Sequence, residues 1–146
     1  MRKLLAVLAV ALVAIGCNSD DGGGNPMDPS QVTVEFTTTD LVVGTGVQAA
    51  IGSRVVVNYT GWLYNPNGPE SKGNQFDTSA GKAPLDFVIG ASNFIEGFQR
   101  AAVGMQAGGK RRVYMPPSMA YGSRGFGTTI PPNASIVFEL DMVSVQ

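Results

Sequence analysis

The sequence has no histidine and one cysteine, Cys17, in 146 residues. Without histidine, a Ser-His-Asp triad and a Cys-His pair are both excluded, as is any zinc site that uses imidazole. One cysteine cannot form an internal disulfide. Charge is also sparse: 14% of residues are charged and the formal net charge is -1. That is not the basic excess of a nucleic-acid binder, so no nucleic-acid partner is expected. The one basic cluster, Lys110-Arg111-Arg112, reads as the exposed start of a strand, with contact to a phosphate or an acidic partner as the alternative. The acidic residues are scattered and lack calcium-loop spacing, so no metal and no cofactor are expected. Glycine (19 residues) and proline (9) are frequent instead, and 44% of residues are hydrophobic. This is the composition of one domain with a real core, many turns and little long helix.

The amino end reads MRKLLAVLAVALVAIGC. Arg2 and Lys3 precede an uninterrupted apolar run from Leu4 to Ile15. The run falls short of the roughly 20 residues that span a bilayer, and it has the length of a secretory signal's apolar region. Ala14, Ile15 and Gly16 then lead into Cys17. This resembles the lipobox of bacterial lipoproteins, although Ala14 stands where leucine is usual. An ordinary signal cleaved at a small residue is the rival reading. The resemblance implies a signal over residues 1–16 and acyl chains on Cys17, which together supply the several anchoring signals stable attachment needs. It also implies a place in the bacterial cell envelope. Asn18, rather than aspartate, after the cysteine favours the outer membrane, facing the periplasm. Residues 17–30 then form the lipidated cysteine and a Gly/Asp/Pro-rich flexible tether.

Residues 31–146 are expected to be the folded domain. QVTVEFTTT, the two glycine-separated runs of TTDLVVGTGVQAAIGSRVVVNYTGWL, QFDTS, PLDFVIG, KRRVYMP and ASIVFELDMVSV read as strands. SNFIEGFQRAAVGMQAGG reads as a short helix starting at Ser92 or Asn93 and ending between Gly104 and Gly109. Asn65 to Asn74 is a long hairpin tip or insertion. In the last strand, alternation puts Ile136, Phe138, Leu140 and Met142 on one face and Val137, Glu139, Asp141 and Val143 on the other. The expected fold is an α+β roll: an antiparallel half-barrel sheet of five or six strands around one short helix. Aromatic side chains cluster beside glycines, at Tyr59-Thr60-Gly61-Trp62, Phe76-Asp77, Phe87, Phe94 to Phe98, Tyr121-Gly122, Phe126-Gly127 and Phe138. Singly, each fits a core. Together they suggest an apolar pocket for a ligand or peptide.

VVVNYTGWL, QFDTS, PLDFVIG, NFIEGFQRAAVGMQAGGKRRVYMPPSMAYG and GFGTTIPPNASIVFELDMVSV occur in the order of the motifs of FKBP-type peptidyl-prolyl cis/trans isomerases. The chain resembles that family from about Thr39 to Val145. The resemblance implies a pocket between helix and sheet. Its walls would be Tyr59, Phe76, Asp77, Phe87, Phe94, Ile95, Tyr121 and Phe138, with Phe98 as floor and Phe126 and Ile130 in the late loop. It implies proline-containing polypeptides as substrates and a macrolide immunosuppressant as a further ligand. Tyr121 would donate its hydroxyl, and Ile95 its backbone N–H, to substrate carbonyls. Asp77 would either orient Tyr59 or interact with the rotating carbonyl. Phe98 stands where tryptophan is usual, Phe126 where histidine is frequent and Thr129 where an aliphatic residue is common. The Tyr64 to Asn74 segment is longer than in minimal members and would be a peptide-gripping flap or a tolerated insertion. The chain is too short for the helical dimerisation arm of some bacterial surface members, so a monomer is expected. A non-catalytic peptide-binding or chaperone module on the same fold is the alternative function.

Overall fold

The computed structural model describes residues 32–146. Residues 1–31, and with them the signal, Cys17 and the tether, lie outside the described residues. Six strands build one antiparallel sheet: β1 (Thr37–Val42), β2 (Arg54–Tyr64), β3 (Lys72–Thr78), β4 (Leu85–Val88), β5 (Lys110–Met115) and β6 (Ile136–Val145). Their order is β1-β5-β6-β2-β3, and β4 pairs with β2 beside β3. Strand β2 is long enough to take both partners on one edge. Val55 to Val57 face Phe87 to Leu85, and Thr60 to Tyr64 face Thr78 to Lys72. One helix, α1 (Glu96–Ala102), lies against the sheet.

The core lies between the helix and the concave face of the sheet. Ile136, Phe138, Leu140 and Met142 of β6 meet Val55 and Val57 of β2, Val113 and Met115 of β5, and Phe98, Ala101 and Ala102 of α1. Gly97 lets the helix approach β5 closely: a Cβ there would stand 2.6 Å from the Met115 sulfur and 3.0 Å from the Met119 carbonyl oxygen. Arg111 fastens the other end of the helix. Its guanidinium donates to the Ala101 and Val103 carbonyls, 2.9 Å each, which satisfies carbonyls a helix end leaves open, and it also pairs with Asp40.

Four expectations need correction. The helix begins at Glu96, not Ser92 or Asn93, because the Ser92 hydroxyl is spent closing the loop after β4 on the Val88 N–H and carbonyl. It ends at Ala102, and Val103 is already extended. The first strand begins at Thr37; before it, the Val34 N–H donates to the Ser135 hydroxyl instead of joining a ladder. The basic cluster does start a strand, β5 at Lys110, but it is not exposed as expected, since the Arg111 and Arg112 side chains are only 12% and 13% exposed.

Arg112 belongs to a charge network on the convex face. Glu139 receives Arg112 at 2.8 Å and Lys72 at 2.5 Å, with Lys110 3.6 Å away. Glu70 adds contacts to Lys72 and Arg112, and its carbonyl accepts from the Tyr114 hydroxyl. The segment between β2 and β3 is thereby pinned to the back of the sheet. Val137 is fully buried beside this network, between Trp62 and Tyr114 in register. Burial works to raise the Glu139 pKa, but Lys72 and Arg112 outweigh it and the net shift is downward. A carboxylate depressed in the folded state contributes stability above its unfolded value, and that stability is lost as pH falls through its folded pKa. Glu139→Gln is therefore expected to cost about 1–3 kcal/mol at neutral pH, below the full loss for a dry buried pair because this one is partly wet. It should also flatten the acid limb of stability below about pH 4. Urea unfolding at several pH values checks both effects.

Candidate active site

The site lies at the seam of helix and sheet, where five rings from five elements meet. Strand β2 supplies Tyr59, β3 Phe76, β4 Phe87, α1 Phe98 and β6 Phe138. Phe98 is the hub. Its centroid is 5.8 Å from Tyr59, 5.7 Å from Phe87 and 5.4 Å from Phe138. Phe76 stands edge-on to Phe138 at 5.4 Å, and Phe94, in the loop before α1, rests on Phe87 at 5.0 Å. Edge-to-face contacts at these distances are the favoured ring geometry. Phe87, Phe98 and Phe138 are buried, whereas Phe94 is 38% exposed.

The polar side of the cup is held by Asp77. The Tyr59 hydroxyl donates to one Asp77 oxygen at 2.7 Å. The other oxygen accepts from the Thr78 N–H at 2.8 Å and from Lys82 at 3.1 Å. Burial pushes the Tyr59 pKa up to about 12, reinforced by the hydrogen bond to Asp77 and its charge. Burial also pushes Asp77 upward, but Tyr59, Lys82 and the Thr78 amide together bring it below its ordinary value. At neutral pH the hydroxyl is therefore protonated, the carboxylate is charged, and the bond between them persists. Asp77 is thus tied to Tyr59.

Tyr121 lies at the rim, its ring 5.3 Å from that of Phe126. Burial, then the charge of Asp77, raises its pKa, and among the described residues its hydroxyl makes no hydrogen bond. The Ile95 N–H also has no partner among the described residues, while the Ile95 carbonyl starts the helix by accepting from the Phe98 and Gln99 N–H groups. Phe126 is 62% exposed, but Ile130, joined to it by a two-bond bridge, is 2% exposed and belongs to the core.

Two contributors were missed from sequence. Lys82 returns to Asp77 because the Ser79–Lys82 turn closes on itself, and an acid and a base flanking a Thr-Ser-Ala-Gly turn were a readable signal. Gln99 spans the loop before α1, accepting from the Gly90 N–H and donating to the Ser92 and Phe94 carbonyls. It holds the segment that carries Phe94 and Ile95. Nothing in the local pattern marks a helical glutamine for this task.

The profile of FKBP-type peptidyl-prolyl cis-trans isomerases matches residues 45–143, the span that contains every ring of the cup. The chain belongs to the FKBP-type peptidyl-prolyl cis-trans isomerase family. It is similar to FK506-binding protein 2 of Dictyostelium discoideum, with 32% identity over 147 residues that cover all of both chains. It is also similar to an FK506-binding protein of Neisseria meningitidis serogroup A, with 39% identity over 73% of this chain and 92% of that one. Among solved structures, the crystal structure of AtFKBP13 aligns with a TM-score of 0.64 and 30% identity, covering 76% of this chain and 93% of that one. A peptidyl-prolyl isomerase from Pseudomonas syringae pv. tomato aligns at 0.63 with 33% identity, over 76% of this chain and 75% of its own. Fold and family agree with the six-stranded sheet and the one α-helix among the described residues.

Proposed function

We propose that the ring cup binds the proline of a polypeptide substrate over Phe98 and promotes rotation of the preceding amide. A planar peptidyl-prolyl amide is held by resonance, and uncatalysed exchange is slow. Rotation reduces the charge separation of the amide, so an apolar enclosure favours the twisted form over the planar one. Phe87, Phe98, Tyr59 and Phe138 supply that enclosure, with Phe76 and Phe94 closing its sides. Tyr121 and the Ile95 N–H hold carbonyls on either side of the rotating bond, while Asp77 positions Tyr59. Phe126 and Ile130 shape the late-loop side. The observation that carries this reading is the pair of donors, the Tyr121 hydroxyl and the Ile95 N–H, that the described residues leave without a partner beside an apolar cup.

Tyr121→Phe and Asp77→Ala are each expected to lower kcat/KM about tenfold, as loss of one hydrogen bond in the transition state predicts. Urea midpoints should change little for Tyr121→Phe. Wild-type kcat/KM in both variants would leave the enclosure as the sole device, and no acceleration by any form would favour the non-catalytic module. The relatives are named for FK506 binding; the same cup in this chain would accept such a macrolide, more weakly where Phe98 replaces the larger indole.

The isomerase would assist folding in the bacterial envelope as a monomer, its domain from residue 31 onward. Residues 1–16 would be removed, Cys17 acylated, and residues 18–30 would tether the domain to the outer membrane on its periplasmic side. The sequence around Cys17 supports this reading. Cys17→Ser is expected to move the protein from the membrane fraction to the soluble fraction, and the mass of the amino-terminal peptide should lose its acyl chains. A wild-type amino-terminal peptide without lipid overturns the anchor.

A further inference from the structure

Beside the cup, on the far side of Phe94, lies an open groove of about 330 Å³ between α1 and the turns at residues 51 and 90. Ile51, Ile89, Phe94 and Val103 form its apolar wall, and Glu96 and Arg100 stand at its edge. Three of the wall residues face solvent: Ile51 is 79% exposed, Phe94 38% and Val103 36%. Exposed apolar residues gathered in one concavity mark a binding surface more than scattered ones do. Glu96 and Arg100 face each other one helical turn apart, at 3.6 Å, so the edge carries no net charge. An uncharged, apolar concavity selects an apolar occupant.

Phe94 belongs to both places. One face of its surroundings is the groove, and the other is Phe87 and Phe98 of the cup. A chain whose proline sits over Phe98 has only to pass Phe94 to enter the groove. The Phe94 and Phe98 centroids are 6.3 Å apart, and an extended chain advances roughly 3.3–3.6 Å per residue. We infer that the groove is an extended substrate subsite: it takes an apolar side chain about three residues from the proline, giving this enzyme a preference for segments rich in apolar residues, as in unfolded chains. The inference rests on the reading of the cup as the proline site.

Two probes test it. One is a blocked tetrapeptide with a central Leu-Pro, too short to reach the groove. The other is a blocked nonapeptide with the same core and either leucine or serine about three residues before or after the proline. For the wild type, leucine at one of the two positions is expected to lower KM about five- to tenfold relative to serine, the effect of burying part of one aliphatic side chain. Ile51→Ser, alone and with Val103→Ser, should abolish that difference and leave kcat/KM on the tetrapeptide unchanged. Equal KM for the leucine and serine peptides at both positions overturns the subsite, as does a leucine advantage that survives in the double variant. A wild-type chain that sediments as a dimer, and that Ile51→Ser dissociates, assigns the groove to a second copy and also overturns it. A wild type inert on the tetrapeptide shows instead that the isomerase reading has failed, and the subsite falls with it.

Discussion

Phe98→Ala should lose about 3–5 kcal/mol of folding stability, the usual range for removing a packed phenylalanine, and nearly all isomerase activity. Phe98 is 4% exposed and contacts the rings of Tyr59, Phe87, Phe94 and Phe138. No other ring touches so many partners in the cup. Its removal leaves a cavity bounded by rings on three strands, and strands joined into one sheet cannot collapse far to fill it. Activity would be lost for two reasons, the missing floor and the smaller folded fraction. Phe98→Leu separates them, because a near volume-conserving swap costs less than about 1.5 kcal/mol yet still removes the flat ring under the substrate proline. The leucine variant should remain folded by urea denaturation while kcat/KM drops. An alanine variant within about 1 kcal/mol of wild type would mean that the floor is not packed as described.

Gly61→Ala should cost about 1–3 kcal/mol by overpacking and lower kcat/KM despite adding only a methyl group. A Cβ at this position would stand 2.5 Å from Phe138 and 2.6 Å from Phe76. These are ring atoms within the wall of the cup, not the free ends of flexible chains. Phe138 is 3% exposed and already braced by Phe98 and Tyr59. The methyl group must therefore displace β2 or tilt both rings, and either movement changes the enclosure around the substrate. The expected pair of results is a lower Tm and a reduced kcat/KM in the same variant. Wild-type values of both would show that the rings have room to yield.

Much of the fold was legible because period-two alternation is unforgiving in a sheet with one buried face. Val55, Val57 and Tyr59, and likewise Ile136 to Met142, could face the core in only one register. Element ends were harder to read. Ser92 has the chemistry of a helix cap, but its hydroxyl found the Val88 backbone first. Arg111 and Arg112 follow glycines and look exposed, yet one reaches the end of the helix and the other a glutamate on a strand distant in sequence. Such partners are set by tertiary approach, which no local pattern encodes.

The site was legible as a set of rings and one carboxylate, through their order along the chain. Whether Asp77 orients Tyr59 or meets the rotating carbonyl was open from sequence; the hydrogen bond identifies the Tyr59 hydroxyl as one of its partners. Ile130 was legible only through the resemblance, as a late-loop wall residue; its backbone bridge to Phe126 and its burial in the cluster that also holds Phe87, Phe98 and Phe138 come from tertiary approach. The segment between β2 and β3 read equally as flap or insertion. Its ties to Glu139, Arg112 and Tyr114 hold it on the back of the sheet, away from the cup.

The most direct test of the central claim is the cis/trans exchange rate of a blocked Leu-Pro tetrapeptide, measured by NMR with no coupled protease. An apolar cup that favours the twisted amide predicts faster exchange at catalytic amounts of the wild-type protein and clearly slower exchange with Tyr121→Phe. Exchange that stays at its uncatalysed pace, with a time constant of roughly tens to hundreds of seconds at room temperature, while the protein is shown to be folded, would contradict the account.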